Sequence, residues 1–137
     1  MTDAYARDAM GGDGGLSDAA RARLPQALSR HPGLFALLAE LDGQPVGHAL
    51  CVLGFSSFAA APTCNLHDLS VLPSARGQGL GRQLLREVER QARERGCARL
   101  TLEVREDNAR ALGLYQEQGY VHAGLGGASY RLMMKPL

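Results

Sequence analysis

The alternation of apolar and polar positions divides the chain into short segments of two kinds. The strongest helical pattern opens at Leu80: Leu80, Leu84, Leu85, Val88 and Ala92 share one face, with Arg86, Glu89, Arg90, Arg93 and Glu94 outside it. Gly96 is a natural stop for that helix. A second helix is expected over residues 108–118, ended by Gly119. An earlier one starts at Ser17 or Asp18, runs through Leu24 and Leu28 towards Arg30 with a kink at Pro25, and stops at His31-Pro32-Gly33. Strand-length apolar runs at 34–41 and 45–53, joined by Asp42-Gly43, read as a β-hairpin. Further strands are expected at 65–72, closed by Pro73, and at 98–104, 120–123 and 130–135, while 55–62 reads as a loop. Alternation along 65–72 puts Leu66, Asp68 and Ser70 on one face and His67, Leu69 and Val71 on the other. With no internal repeat and no linker, residues 1–137 read as one mixed α/β domain, an α+β arrangement around a mixed sheet.

Composition narrows the function classes. Apolar residues make up 45% and charged residues 21%, ordinary for a globular protein, and the formal net charge of +1 offers no surface for nucleic acid or membrane. Lys135 is the only lysine, and the arginines are scattered rather than gathered in a tract. Cys51, Cys64 and Cys97 are odd in number and lack CxxC spacing, so neither a disulfide framework nor a metal site is suggested, and they read as reduced, buried thiols. The N-terminus is too polar for a signal peptide, and no apolar run approaches the ~20 residues that span a bilayer. A soluble cytoplasmic protein is expected.

Candidate chemistry concentrates where the strand at 65–72 gives way to the long helix. Arg76-Gly77-Gln78-Gly79-Leu80-Gly81 is glycine-rich and opens directly into that helix. Glycines let the backbone approach a ligand and turn its N–H groups inward, and a helix N-terminus adds unpaired donors and partial positive charge. Together these suit a phosphate or pyrophosphate; the alternative is a tight turn that binds nothing. A P-loop is excluded, because GxxxxGK[ST] needs a lysine that the loop lacks. The dinucleotide pattern GxGxxG fails at Arg82, and Pro73-Ser74-Ala75-Arg76 separates the loop from its strand.

What fits is R-x-x-G-x-G, met by Arg76, Gly79 and Gly81, with Val71-Leu72-Pro73 before it and LTLEVREDNARALGLYQEQGY after the helix. In this order and spacing, over about residues 65–123, the sequence resembles the GNAT superfamily of N-acetyltransferases. The resemblance implies a GNAT acyl-CoA N-acyltransferase fold, acetyl-CoA as acyl-donor cosubstrate and an amine acceptor. It implies a pantetheine arm between the strands at 65–72 and 98–104, met by backbone groups of Leu69 and Val71. It implies a pyrophosphate on the N–H groups of Arg76, Gly77, Gln78, Gly79, Leu80, Gly81 and Arg82, with Gly79 and Gly81 more sensitive than the side chains of Gln78 and Leu80. Tyr115 matches the position that protonates the CoA sulfur, and the alternative for it is a core tyrosine. Glu103 matches the base of enzymes resembling the ribosomal-protein alanine N-acetyltransferases. Asp68 is the rival base, and a satisfied polar residue at a strand end is the alternative for both. Asn108 would cap its helix and lie near the cofactor arm, whereas His67, Glu106, Asp107 and Gly119-Tyr120 read as structural.

The chain departs from that pattern at its start. No strand candidate precedes Leu34, and MTDAYARDAM reads like the tail of a first helix, so the opening strand and most of the first helix of the fold are expected to be lacking. The strand at 34–41 would then form an open apolar edge, covered by a loop or another chain, and a homodimer is one such arrangement. Residues 10–18, 55–62 and 125–129 would wall the acceptor site, with Phe55, Phe58 and Tyr130 as its apolar part. The alternative for these three, and the more frequent fate of such residues, is core packing. The competing reading is a GNAT-fold module that binds acyl-CoA without turnover. A third is a phosphate- or nucleotide-binding protein of another α/β class.

Overall fold

Asp42 and Gly43 set the first register of the chain. Both have positive φ, 50° and 73°, the combination a two-residue type I′ turn requires. Strand β1 (Leu34–Leu41) therefore folds back on β2 (Gln44–Ser56), pairing from Leu41↔Gln44 to Leu34↔Val52. The computed structural model describes residues 1–12, 14–125, 128–129 and 133–135. Strands β1, β2, β3 (Ala61–Val71) and β4 (Leu100–Leu102) form one sheet in that order, antiparallel except for the parallel β3–β4 pair. β1 is an edge strand, with Leu38 59% exposed.

Helix α3 (Leu80–Glu94) crosses between β3 and β4 and seals one face of the sheet. Its buried side chains are the five apolar residues of the sequence pattern, and Leu84, Leu85, Val88 and Ala92 pack with Ala49, Cys51, Cys64 and Leu66. Cys51 and Cys64 lie fully buried in this core, and their mutual hydrogen bond, together with burial, pushes the Cys51 thiol far up. α3 stops at Gly96, whose φ is 70°. α4 (Ala109–Glu117) is capped by Asn108, whose side chain accepts from Ala111 N–H at 3.1 Å, and ends before Gly119. Ahead of β1, α1 (Thr2–Ala6) and α2 (Asp18–Arg30) are joined through Asp3, which accepts from Leu16 N–H at 2.9 Å and from Arg21 at 3.2 Å. Ser17 caps α2, and Pro25 lies within it.

Several expectations need correction. The loop expected at 55–62 is short, because the β2–β3 ladder continues through Gly54↔Thr63, Phe55↔Pro62 and Ser56↔Ala61. Phe55 and Phe58 are 70% and 98% exposed, and neither ring lines the cavity beside the glycine loop. The strand expected at 98–104 pairs only from Cys64↔Leu100 to Leu66↔Leu102. Residues 120–123 form no strand: Tyr120 packs against the core, Val121 is 88% exposed, and pairing resumes as a separate hairpin of β5 (Gly124–Leu125) and β6 (Ala128–Ser129). Of the strand expected at 130–135, residues 130–132, with Tyr130, lie outside the described residues, and 133–135 have no regular structure.

The alternation expected along β3 also breaks. Leu50 pairs with Asp68 but Cys51 with Leu66, so His67 is an extra residue in the ladder, a β-bulge, and it is exposed. The extra residue moves Leu66 onto the core face with Leu69 and Val71 and leaves Ser70 on the opposite face beside His48.

Candidate functional site

The bulge is followed by the point where the sheet opens. β4 leaves β3 after the Leu66↔Leu102 pair, while β3 continues alongside β2 to Val71. Leu72 N–H donates to Val46 O at 2.8 Å. Antiparallel pairs alternate between bonded and non-bonded, so Ser70/His48 and Asp68/Leu50 are bonded too. The peptide groups of Leu69 and Val71 therefore point away from β2, into the gap that β4 has vacated. Val71 O accepts from Arg76 Nε at 2.9 Å, which places the guanidinium in that gap.

The glycine loop closes the same space. Gly77 and Gly79 have φ of 80° and 78°, a conformation that favours glycine, and Gly79 is the N-cap of α3. Arg76 N–H bonds Pro73 O at 3.3 Å, and the helical ladder begins with Gln83 N–H to Gly79 O at 3.0 Å. Between them, every main-chain N–H from Gly77 to Arg82 lacks a protein acceptor among the described residues. That row of free donors at the positive end of α3 has the chemistry that suits an anion. A Cβ on Gly79 would meet nothing within 4 Å, so the constraint there is the backbone angle; a Cβ on Gly81 would come within 3.2 Å of Leu114 Cδ2, so Gly81 is held by packing against α4.

Loop, gap and α4 enclose a cavity of about 440 Å³. Of the residues singled out from the sequence, Leu69, Val71, Arg76, Gly77, Gly79, Leu80, Gly81, Arg82, Glu103, Asn108 and Tyr115 line it, whereas Gln78 and Asp68 do not. Tyr115 packs against the core and lies beside Tyr120, with ring centroids 5.7 Å apart. Burial, with Tyr5 adding to it, pushes its phenol up to about 12. Glu103 sits just past the end of β4, exposed, and accepts from Asn65 Nδ2 at 3.2 and 3.3 Å. Asp68 is half-buried on the far face, where its charge bears on Tyr5 and His48. Arg82 pairs with Glu117 at 2.5 Å, tying α3 to α4 beside the donor row.

Met10, expected near the acceptor wall, lines the cavity. Tyr5, Asp8 and Ser70 line it as well, unforeseen from the sequence. Asp8 meets Arg76 at 2.5 Å, and Ala9 O accepts from Arg105 at 3.5 Å, so the segment after α1 is strapped across the cavity. The Met10 N–H and the Arg76 guanidinium hold the Asp8 carboxyl below the usual carboxylate range. No local pattern announces a contact across 68 positions of chain. Strand alternation assigns Ser70 a face, but only the bulge gives it His48 as a neighbour. Among the described residues no three His, Cys, Asp or Glu side chains gather as metal ligands, and no helix is long and apolar enough to cross a membrane.

The chain is 42% identical to a streptothricin acetyltransferase from Streptomyces lavendulae over 90 residues, 66% of this chain and 46% of that protein. It thus spans less than half of that relative's length. It is 35% identical to YhfO, an uncharacterized N-acetyltransferase of Bacillus subtilis (strain 168), over 101 residues, 74% of this chain and 67% of the relative. Among solved structures, the aminoglycoside N-acetyltransferase AAC(6')-Iy in complex with CoA shares the fold with a TM-score of 0.67 at 22% identity, over 87% of this chain and 88% of that one. The sequence model of the acetyltransferase (GNAT) family matches residues 3–120, and the chain belongs to that family.

Proposed function

We propose that the chain is an acetyl-CoA-dependent N-acetyltransferase that moves an acetyl group to a primary amine by direct attack. The observation that carries this reading is the pairing of two main-chain features in one cavity: the N–H row from Gly77 to Arg82 and the outward peptide groups of Leu69 and Val71. The first suits a pyrophosphate and the second an extended amide-bearing arm, and acetyl-CoA carries both. Arg76 adds a cation, and Asn108 lies where the arm would pass.

At the reacting end, the acceptor arrives as an ammonium ion and must lose one proton before it can attack. Of the carboxylates that line the cavity, Asp8 is engaged by Arg76, so Glu103 would take that proton; Asp68, outside the lining, is the weaker candidate. Attack on the thioester carbonyl gives a tetrahedral oxyanion, and its collapse expels a thiolate. Tyr115, protonated throughout the neutral range, would supply the proton that the thiolate takes up. Streptothricin is the first acceptor to test, because it is what the 42% identical relative is named for.

The test is calorimetric titration of acetyl-CoA into the wild type and Gly79→Glu, followed by turnover of an amine panel. Gly79→Glu sets a carboxylate against the anion cradle and should abolish binding, while Tyr115→Phe should keep binding and lower kcat by about 10²-fold or more. Absence of acetyl-CoA binding by the wild type would sink the reading. Binding without turnover of any amine would favour an acyl-CoA-binding module instead.

A further inference from the structure

The cavity has a polar feature that acetyl-CoA binding does not use. His48, on β2, is 4% exposed and stands directly opposite Ser70 of β3. Its Nδ1 lies 2.8 Å from Ser70 Oγ. Ser70 lines the cavity and His48 does not, so the imidazole has its hydrogen-bonded link to the cavity through the serine hydroxyl. His48 Nε2 is buried with no hydrogen-bond partner among the described residues. The Tyr5 ring, itself part of the cavity lining, packs edge-on against the imidazole with centroids 6.2 Å apart. Packing alone does not call for an imidazole there, since an aliphatic side chain would fill the site without leaving a polar nitrogen unpaired.

Acetylation of an ammonium ion removes two protons from nitrogen: one before attack and one as the N–C bond forms. Glu103 accounts for the first. We propose that Ser70 and His48 carry the second, Ser70 Oγ accepting the proton of the attacking amine while its own hydroxyl proton passes to His48 Nδ1. This rests on the acetyl-transfer reading above. In the step, the amine lone pair forms the N–C bond and the carbonyl π pair moves to oxygen. The amine proton goes to Ser70 Oγ and the serine proton to Nδ1, leaving a neutral serine and an imidazolium. Collapse re-forms the carbonyl and breaks the C–S bond, and the thiolate takes the Tyr115 proton. The imidazolium proton returns through solvent to the tyrosinate, and the proton held by Glu103 is released. Ammonium plus thioester thus become amide, thiol and one proton.

The surroundings of His48 fit a transient proton store. Burial lowers its proton affinity, so the resting ring is neutral and free to accept. Asp68, from β3, pulls the other way and would offset the charge once the proton arrives, while the Met1 amino group opposes it. Tyr5, from α1, is held protonated by burial and by Asp68 and Asp8, and brings no charge. From β1, the residue opposite His48 is Leu38, which is apolar. Ser70 is the catalytic residue of this path, and His48 is a positioning residue that acts through it.

Two measurements test it, the first independent of turnover. The imidazole ¹⁵N spectrum of the wild type should show neutral His48 with its proton on Nε2 and Nδ1 bare. A proton on Nδ1 would overturn the proposal, because that nitrogen could then accept nothing. In turnover, His48→Asn can keep a hydrogen bond to Ser70 but cannot hold a proton. It and Ser70→Ala should each lower kcat about 10²-fold and leave acetyl-CoA binding within about 3-fold of wild type. Ser70→Thr, which keeps the hydroxyl, should recover most of the loss. The double variant should be no slower than either single one, as for residues acting as a unit. The acidic limb of the kcat/KM profile assigned to His48 should vanish in His48→Asn. Single variants with near wild-type kcat, multiplying losses, or an unchanged limb would each refute the path. A wild type that binds acetyl-CoA but acetylates nothing would instead refute the function on which it rests, and the tautomer would still decide whether the pair can accept a proton.

Discussion

Gly79 offers the sharpest test of how the glycine loop is held. Its φ of 78° is left-handed, and an added Cβ would meet no atom within 4 Å. Replacing it with alanine therefore changes no contact and isolates the backbone cost. Holding an alanine in that region costs about 1–2 kcal/mol. The lower entropy of the unfolded alanine chain gives back about 0.4–1 kcal/mol. The net loss is then about 1 kcal/mol, which for a chain of this size lowers Tm by about 3–5 °C. Asparagine tolerates the left-handed region, so Gly79→Asn should lose clearly less than Gly79→Ala. Gly113 supplies the control: it lies inside α4, has no positive φ, and a methyl group added there would also meet nothing within 4 Å. There the same substitution should stabilise by about 0.5–1 kcal/mol, the gain of alanine over glycine within a helix. Urea unfolding of the four proteins, with m unchanged, reads all of this directly. Gly79→Ala at the wild-type midpoint, or Asn as costly as Ala, would refute the idea that dihedral angle rather than space fixes glycine at this position.

Two further outcomes follow from the packing and charges. Leu84, 4% exposed beneath the sheet, should cost about 2–5 kcal/mol as Leu84→Ala, whereas Phe58→Ser at a 98% exposed hairpin tip should stay within about 0.5 kcal/mol; thermal and urea unfolding compare them. The Asp8 carboxyl is held below its ordinary value, so its contribution to stability is present above about pH 4 and is lost as pH falls through the lower folded value. Unfolding measured from pH 7 to pH 2 should therefore show the gap between wild type and Asp8→Asn narrowing below about pH 4, and a gap constant across that range would show that the Arg76 pair contributes nothing.

Legibility in the sequence tracked how local the cause was. The buried face of α3, the caps at Ser17 and Asn108, the Asp42-Gly43 turn and the glycine stops were all readable, because each depends on residues within a turn or two of one another. The donor row of the glycine loop was readable for a related reason: it is built from main-chain groups whose display needs glycine at particular angles. What failed was pairing. The ends of β2 and β4 depend on where a partner strand continues or departs, and neither event leaves a mark on the strand itself. Nor does the hydrophobic pattern reveal the single extra residue at His67.

That extra residue is why the His48–Ser70 pair could not be read, and its consequences run in a chain. Without the bulge, Leu66 would share a face with Asp68 and Ser70, and either the core would lose Leu66 or the cavity would lose Ser70. With it, Leu66 seals the core against α3 while Ser70 turns to His48, so one irregularity serves packing on one face and the polar pair on the other. The same irregularity precedes the departure of β4, which exposes the peptide groups of Leu69 and Val71. Shortening β3 by deleting His67 should then do more than destabilise the sheet. It would reverse the faces of either the segment before it or the segment after it, and so could not preserve both the Leu66 contact with α3 and the Ser70 contact with His48. A deletion variant that kept wild-type stability together with the wild-type His48 ¹⁵N spectrum would contradict this account of the strand.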